Sequence, residues 1–262
     1  MLARQRQTAI LGRVRTTGGV RVTELATEFG VSDMTIRRDL ETLHDQGLIA
    51  KVHGGATAAG PGSTDEPGFH AKSVRQSTEK AAIAEHAARL VRPGAAIALS
   101  AGTTTAELAR RLLDVPDLTV VTNSLPVAEI LHADGRPDRT VVLTGGVRTP
   151  SDALVGPLAV AAIAALHLDL LFLGVHGISE RAGFTTPNLM EADTNRALVA
   201  AADRLVVLAD HTKWGTVGIS SIVGLDAADV LVTDDRLAPQ AQRVLGDRVG
   251  ELVTVPAKRG AE

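Results

Sequence analysis

Cysteine is absent from the 262 residues, which removes disulfides, thiol nucleophiles and every metal site built on thiolate. Tyrosine is absent too, and only one tryptophan and four phenylalanines occur. An apolar core must therefore come from Leu, Val, Ile and Ala. No apolar run approaches the roughly 18–20 residues needed to cross a bilayer. The opening Met1-Leu2-Ala3-Arg4-Gln5-Arg6-Gln7 lacks the apolar centre of a secretion signal, so a cytoplasmic location without a membrane partner is expected. Excess charge of one sign is also lacking: 27 Lys and Arg face 30 Asp and Glu, a formal net of −3. That excludes a protein that coats nucleic acid indiscriminately, yet leaves room for a site-specific binder with a small basic face. What is present, 45% hydrophobic and 22% charged residues, suits a globular chain with one sizeable core and a small extra domain.

The composition changes near residue 57. Residues 1–57 hold eight Lys/Arg and six Asp/Glu, a net of +2, and the remainder carries −5. The sign favours a polyanion partner for the N-terminal part. Residues 58–68 contain two prolines and no bulky apolar residue, and read as a linker. The expected division is a head at 1–57, a linker at 58–68 and a body at 69–262.

Within the head, Ile10, Leu11 and Val14 share one helix face, and Thr17-Gly18-Gly19 ends that helix. Val22, Leu25, Ala26 and Phe29 repeat at helical spacing, Gly30 supplies a tight turn, and Ser32 is placed to cap the next helix. That third helix carries Ile36, Leu40 and Leu43 on one side and Asp33, Met34, Arg37, Arg38 and Glu41 on the other. Residues 48–52 predict a short strand turning at Gly54-Gly55. Two helices joined by a short turn form a helix-turn-helix, whose second helix enters the DNA major groove. Arg37 and Arg38 are candidates for guanine edges or phosphates, Met34 for a thymine methyl, and Ser32 and Thr35 for the helix start. Lys51 and His53, on the wing, would reach the backbone or minor groove. The same shape also serves dimerisation or adaptor modules. RNA reading finds no aromatic stacking platform here, because Phe29 belongs to the apolar face.

The body begins with a helix over 80–90. Apolar strands then follow at 96–99, 118–122, 140–144, 170–175, 205–209, 230–233 and 251–255, alternating with helices at 105–113, 126–132, 157–166, 189–202 and 237–245. Strands this uniformly apolar predict a sheet covered on both faces, an α/β body. The chemistry lies in the loops after the strands. Ser100-Ala101-Gly102-Thr103-Thr104-Thr105 offers a close backbone approach at Gly102, hydroxyls, and helix N-terminal amides suited to a phosphate or carboxylate. A Thr-capped helix start produces the same run without a ligand. Asn123, Gly145-Gly146, Arg148 and His176-Gly177 follow other strands and would converge on the same crevice. Arg148 and Lys213 are the natural electrostatic partners of a phosphorylated ligand. Capping for Asn123 and turn formation for the glycine pair are equally good readings of those residues alone.

The runs Val22-Thr23-Glu24-Leu25-Ala26, Phe29-Gly30-Val31-Ser32, Thr35-Ile36-Arg37-Arg38-Asp39-Leu40 and His53-Gly54-Gly55-Ala56 resemble the DeoR family of bacterial transcriptional regulators. The similarity continues through the body to about Asp235. It implies a winged helix-turn-helix head and a sensor body related to sugar-phosphate isomerases and CoA transferases. It further implies a phosphorylated sugar or similar metabolite as effector, and repression of a carbohydrate-metabolism operon. Gly102, Thr103 and Thr104 match the family's Asp-x-Gly-Thr-Thr loop, with Ser100 in place of Asp. Lys213 and Gly215 match its Ser-Lys-Phe-Gly segment, with Thr212 and Trp214 substituted. Glu191 through Arg196 match Glu-x-x-x-Lys-Arg, with Asn195 in place of Lys.

The alternative is an isomerase-like enzyme fused to a DNA-binding head. His176, Glu191, Asp210 and His211 supply acid and base types, but no Gly-x-Ser-x-Gly or Gly-x-Gly-x-x-Gly motif occurs, and Ser100 removes a carboxylate. The spacings of His176, Asp203, Asp210 and His211 fit no metal pattern. No cofactor, no metal and no catalysis are therefore expected. Two small heads on one DNA site gain affinity and spacing selectivity, and no long heptad run is present. Association through the body, as a dimer or tetramer, is the expectation.

Overall fold

The computed structural model describes residues 3–17, 19–45, 49–52, 54–58 and 68–257. His53, residues 59–67 of the expected linker, and the side chain of Lys51 lie outside the described residues. Contacts divide the chain into two units, Met1–Gly62 and Ser63–Glu262.

In the first unit α1 (Ala3–Thr17), β1 (Gly19–Arg21), α2 (Val22–Phe29), α3 (Asp33–Asp45), β2 (Ile49–Val52) and β3 (Gly55–Ala58) follow in order. Ile10 and Val14 of α1, Leu25 of α2, Ile36, Leu40 and Leu43 of α3 and Ile49 of β2 form one core, each at most 2% exposed. Gly30 ends α2 at φ 63° and returns its N–H to the Ala26 carbonyl, the left-handed stop that a Cβ disfavours. The wing is an antiparallel sheet in the order β1-β3-β2. Strand β1 is the element the spacing did not predict, because three residues are too few to show alternation. It also accounts for a glycine of the wing turn: a Cβ on Gly55 would lie 2.0 Å from the Val20 carbonyl oxygen.

The second unit starts with α4 (Phe69–Ser73) and α5 (Ser77–Ala88), then β4 (Ala96–Leu99), α6 (Thr103–Arg111), β5 (Thr119–Thr122), α7 (Leu125–Ala133) and β6 (Thr140–Leu143). A small ribbon of β7 (Val147–Arg148) and β8 (Leu154–Val155) precedes α8 (Pro157–Ile163) and β9 (Leu170–Gly174). Next come β10 (Gly177–Ser179), β11 (Gly183–Thr186), α9 (Leu189–Ala200), β12 (Leu205–Leu208), β13 (Ser220–Val223), β14 (Val230–Asp234), α10 (Pro239–Gly246) and β15 (Glu251–Val255). The seven strands expected from apolar runs form one parallel sheet in the order β15-β14-β12-β9-β4-β5-β6. Its side chains alternate between two cores. Ile97, Leu99, Val120, Phe172, Val206 and Val232 pack with Ile83 of α5 and Leu108 of α6. Ala98, Val121, Leu171, Leu173, Val207 and Leu231 pack with Ile163, Leu198 and Leu245 of the later helices. Both faces of the inner strands are buried, which is why they read as continuous apolar runs, while the edge strands β6 and β15 are partly exposed. Strands β10, β11 and β13 make a separate antiparallel sheet that the sequence reading did not contain.

The strand order fixes where a ligand can enter. From β4 the chain moves outward through β5 and β6, then returns to the other side of β4 with β9 and moves outward again through β12, β14 and β15. The loops leaving β4 and β9 therefore diverge from neighbouring strand ends. Such a reversal opens a crevice at the C-terminal edge of a parallel sheet.

Candidate nucleic-acid interface and effector site

Helix α3 is set against α1 by a buried charge pair. Asp39, 4% exposed, accepts from Nε of Arg6, itself 7% exposed, and from Nε2 of Gln7 at 3.0 Å. Together with Ile36, Leu40 and Leu43 this fixes the helix face turned inward, and so the face turned outward. On that outer face Arg37 and Arg38 are exposed and Met34 is 70% exposed. Among the described residues neither arginine pairs with a carboxylate. Ser32 opens the helix: its Oγ accepts from the Thr35 N–H at 3.3 Å and lies 3.0 Å from Thr35 Oγ1, an N-cap. Asp39 is thus the acid of the Arg-Arg-Asp run that does structural duty. Its replacement by alanine removes the carboxylate from a buried guanidinium and is expected to cost about 3–5 kcal/mol. The check uses the single tryptophan, Trp214. In the variant, far-UV circular dichroism shows an early unfolding transition that Trp214 fluorescence, reporting the body alone, does not follow.

In the body, every effector-loop residue foreseen lies at or just beyond the C-terminal ends of the strands, or on elements tied to them. Ser100 is fully buried; its Oγ accepts the N–H of Gly174, 2.9 Å away, and ties the β4 exit to the β9 exit. Gly102 faces Gly174 across the reversal point, so that a Cβ on it would lie 3.8 Å from the Gly174 Cα. Asn123 is fully buried as well. Its Oδ1 accepts from Ala101 N–H at 2.9 Å and its Nδ2 donates to the Leu154 carbonyl at 3.2 Å. Thr105 spends its hydroxyl on the carbonyls of Ser100 and Gly102. Ser100, Thr105 and Asn123 thus hold the loop, while half-buried Thr103, nearly buried Thr104 and the first amides of α6 form its surface.

Gly145 and Gly146 both have positive φ, and a Cβ on Gly146 would lie 2.5 Å from the Val155 carbonyl oxygen. They carry the chain tightly onto β8. Arg148 is exposed and paired with Asp152, Nε to Oδ1 at 2.8 Å. His176 donates its backbone N–H to the Thr185 carbonyl. Gly177 gives room to the Thr216 carbonyl, 2.1 Å from where a Cβ would sit. The neighbouring Ile178 bridges to Trp214 and accepts from the Gly215 N–H. That contact brings β10 alongside the turn holding half-buried Lys213.

Sequence profiles of known families decide the identity. The DeoR-like helix-turn-helix domain matches residues 6–61, and the DeoR C terminal sensor domain matches residues 75–235. The chain belongs to the DeoR family. This DeoR-family chain is 37% identical to the HTH-type transcriptional regulator YgbI of Escherichia coli (strain K12), over 94% of its own length and 95% of that protein's. It is 33% identical to a putative aga operon transcriptional repressor of Escherichia coli O157:H7, over 88% and 86%. It is 32% identical to the glycerol-3-phosphate regulon repressor of Escherichia coli (strain K12), over 93% and 95%. Among solved structures, a ribose 5-phosphate isomerase from Methanocaldococcus jannaschii matches 52% of this chain and 53% of its own at 17% identity, with a TM-score of 0.38. The DeoR-family protein is a DNA-binding transcriptional regulator, not an enzyme.

Two departures from the DeoR pattern now have a place. Ser100, where the family loop carries Asp, uses its side chain internally on Gly174. Asn195, where the family carries Lys, is 4% exposed with its Oδ1 unpartnered among the described residues. Of the acid and base types noted in the sequence, His211 meets Asp234 and not Asp210: Nδ1 lies 2.9 Å from the fully buried Asp234 Oδ1. Asp210 instead caps the turn through the Thr212 N–H. Among the described residues no group of three His, Asp or Glu side chains is placed to hold a metal ion. No helix there is long and apolar enough to cross a membrane.

Sequence reasoning read Lys80 only as the start of a helix. It is 6% exposed, and burial, reinforced by the nearby charges of Lys213, Lys72 and Arg75, draws its pKa down to about 8 despite the opposing pull of Asp210. The signal was present as three cations, Lys72, Arg75 and Lys80, within nine residues. They precede β4, the first strand of the parallel sheet, and so lie outside the loops that follow strands.

Proposed function

We propose that this protein represses a carbohydrate-metabolism operon in the cytoplasm and that a phosphorylated sugar or related metabolite alters its grip on the operator. The observation that carries the effector reading is the crevice between the exits of β4 and β9. There Gly102 faces Gly174, buried Ser100 ties the two strand exits together, and buried Asn123 holds the Ala101 N–H. A loop of this kind at a helix N-terminus suits an anion. The relatives named for the aga operon and the glycerol-3-phosphate regulon support the metabolic class.

In this reading the phosphate lies over Gly102, Thr103 and Thr104, and Lys213 supplies the counter-charge. Ser100, Thr105, Asn123, Gly145, Gly146 and Gly177 shape the crevice, and Arg148 and His176 stand at its sugar end. No cofactor is required. On the DNA side Arg37 and Arg38 read or grip the major groove, Met34 meets an apolar base edge, Ser32 and Thr35 meet the backbone, and Lys51 and His53 assist from the wing. Body-mediated dimers or tetramers pair the heads. A Gly/Pro-rich linker cannot act as a rigid rod, so the effector changes the spacing or mobility of paired heads.

A thermal-shift screen of the full chain against phosphorylated sugars and polyols tests this. A ligand that binds only the folded state stabilises by RT ln(1 + [L]/Kd), about 2.7 kcal/mol at a hundredfold excess over Kd. The expected result is a clear upward shift with at least one phosphorylated compound and none with its unphosphorylated parent. Equal shifts with both would remove the phosphate from the account.

A further inference from the structure

The turn between α4 and α5 closes over Lys80. Its Nζ donates to the carbonyl oxygens of Lys72 and Arg75 at 2.5 and 2.6 Å. An ammonium has three protons to give, and the third has no partner among the described residues. Lys80 also lines a cavity of about 290 Å³ with His70, Ser73, Ser77 and Thr103. Thr103 is the first residue of α6 and belongs to the loop at the reversal point. The carboxylate in the cavity wall, Glu107, is already engaged by Arg110 and Arg111, each at 3.0 Å.

The charges around Lys80 are lopsided. Lys72 on α4, Arg75 in the turn and Lys213 beyond β12 all repel it, and Asp210 attracts it. On α5 itself the neighbouring Glu79 is committed to Arg236. From α6 the Glu107–Arg110 pair faces the cavity, and His70 faces it from α4. Among the described residues Asp210 is the carboxylate that acts on Lys80, against three neighbouring cations. A buried ammonium so placed is costly unless an anion completes its coordination.

We propose that Lys80 is a second cation, beside Lys213, for the effector's anionic group, a dianion held between Nζ and Thr103, and that the anion's arrival brings a proton from solvent onto Lys80. This rests on the reading that the body binds a phosphorylated effector, and it names a second group that takes the charge. Without the anion, Lys80 is largely neutral above pH 8. With the anion it is held protonated. Binding above neutral pH therefore consumes a proton and weakens as pH rises.

Sulfate is the probe, because it stays a dianion throughout alkaline pH. The chain has neither cysteine nor tyrosine, and ordinary lysines titrate near 10.4, so few other side chains change charge between about pH 7.5 and 9.5. Calorimetric titration of the full chain with sulfate, at constant ionic strength, is expected to show affinity falling about 20-fold across that window. Near the middle of the window, the heat varies with the ionisation enthalpy of the buffer. Lys80→Arg, which keeps its charge, should bind sulfate with little pH dependence; Lys80→Met should lose binding while its circular dichroism remains that of the parent. A parent affinity independent of pH overturns the role of Lys80 and leaves the effector reading standing. Absence of sulfate binding at both ends of the window also overturns it, and the sugar-phosphate screen then judges the broader reading separately. If Lys80→Met fails to fold, the parent profile and Lys80→Arg decide the matter.

Discussion

Alanine at both Arg37 and Arg38 is expected to abolish operator binding at physiological salt without unfolding the head. The two guanidinium groups are exposed on the outer face of α3, and surface changes of this kind usually move stability by no more than about 0.5 kcal/mol. A bidentate contact to guanine contributes about 1–3 kcal/mol of discrimination. Losing two such contacts weakens binding by roughly 30-fold at the least and by more than 10⁴-fold at the upper limit. The single variants separate the roles. The one that reads a base relaxes sequence preference at that base pair, whereas one that grips phosphate weakens all sequences alike and lowers the salt slope by about one. Fluorescence anisotropy on operator and scrambled duplexes measures both, and parental affinity in the double variant would remove α3 from the interface. The contrast with Asp39 is instructive. Asp39→Ala should also lose DNA binding, but through unfolding of the head.

Lys213→Ala is expected to leave operator binding near the parental value and to weaken the effector response strongly. Lys213 is half-buried in the turn after β12, next to the sheet edge where the loops gather. A hydrogen bond to a charged group contributes about 1.5–3 kcal/mol, which is a 10- to 150-fold loss of effector affinity. Thr103→Ala and Thr104→Ala remove neutral donors and should each be tolerated better. Effector titrations monitored by thermal shift, with operator binding measured in parallel, separate these outcomes. A full response in Lys213→Ala would contradict its role, as would lost DNA binding with an intact ligand site.

Much of this architecture could be read from residue spacing, for physical reasons that differ by region. The inner body strands were legible because burial on both faces demands unbroken apolar runs such as Leu170–Gly174. The head was legible because Ile36, Leu40 and Leu43 repeat at the helical period and Gly30 marks the turn. Strand order was not legible: nothing in the runs themselves says that β9 returns beside β4, and that return places the crevice. The short strands β1, β10, β11 and β13 escaped because Gly-Val-Arg, Gly-Ile-Ser, Gly-Phe-Thr-Thr and Ser-Ser-Ile-Val hold no unbroken apolar run, and β1 and β13 also pair with strands distant in sequence. Lys80 escaped for a related reason. Its burial comes from a turn folding back through the carbonyls of Lys72 and Arg75, a tertiary event with no periodic signature. Ser100 and Asn123 were singled out as effector-binding loop residues, and sequence gives no way to see that their side chains face inward and hold backbone.

The central claim is that one chain couples ligand occupancy in the body to DNA affinity in the head. Such coupling is a free-energy difference shared between two sites, and it must be reciprocal. The most direct measurement is the operator dissociation constant of the full chain, by anisotropy, without effector and with saturating amounts of the compound that gives the largest thermal shift. The account predicts a change of roughly 5- to 150-fold, corresponding to about 1–3 kcal/mol of coupling, with the same factor recovered when effector affinity is measured with and without operator. An operator affinity that stays the same at saturating effector would contradict it.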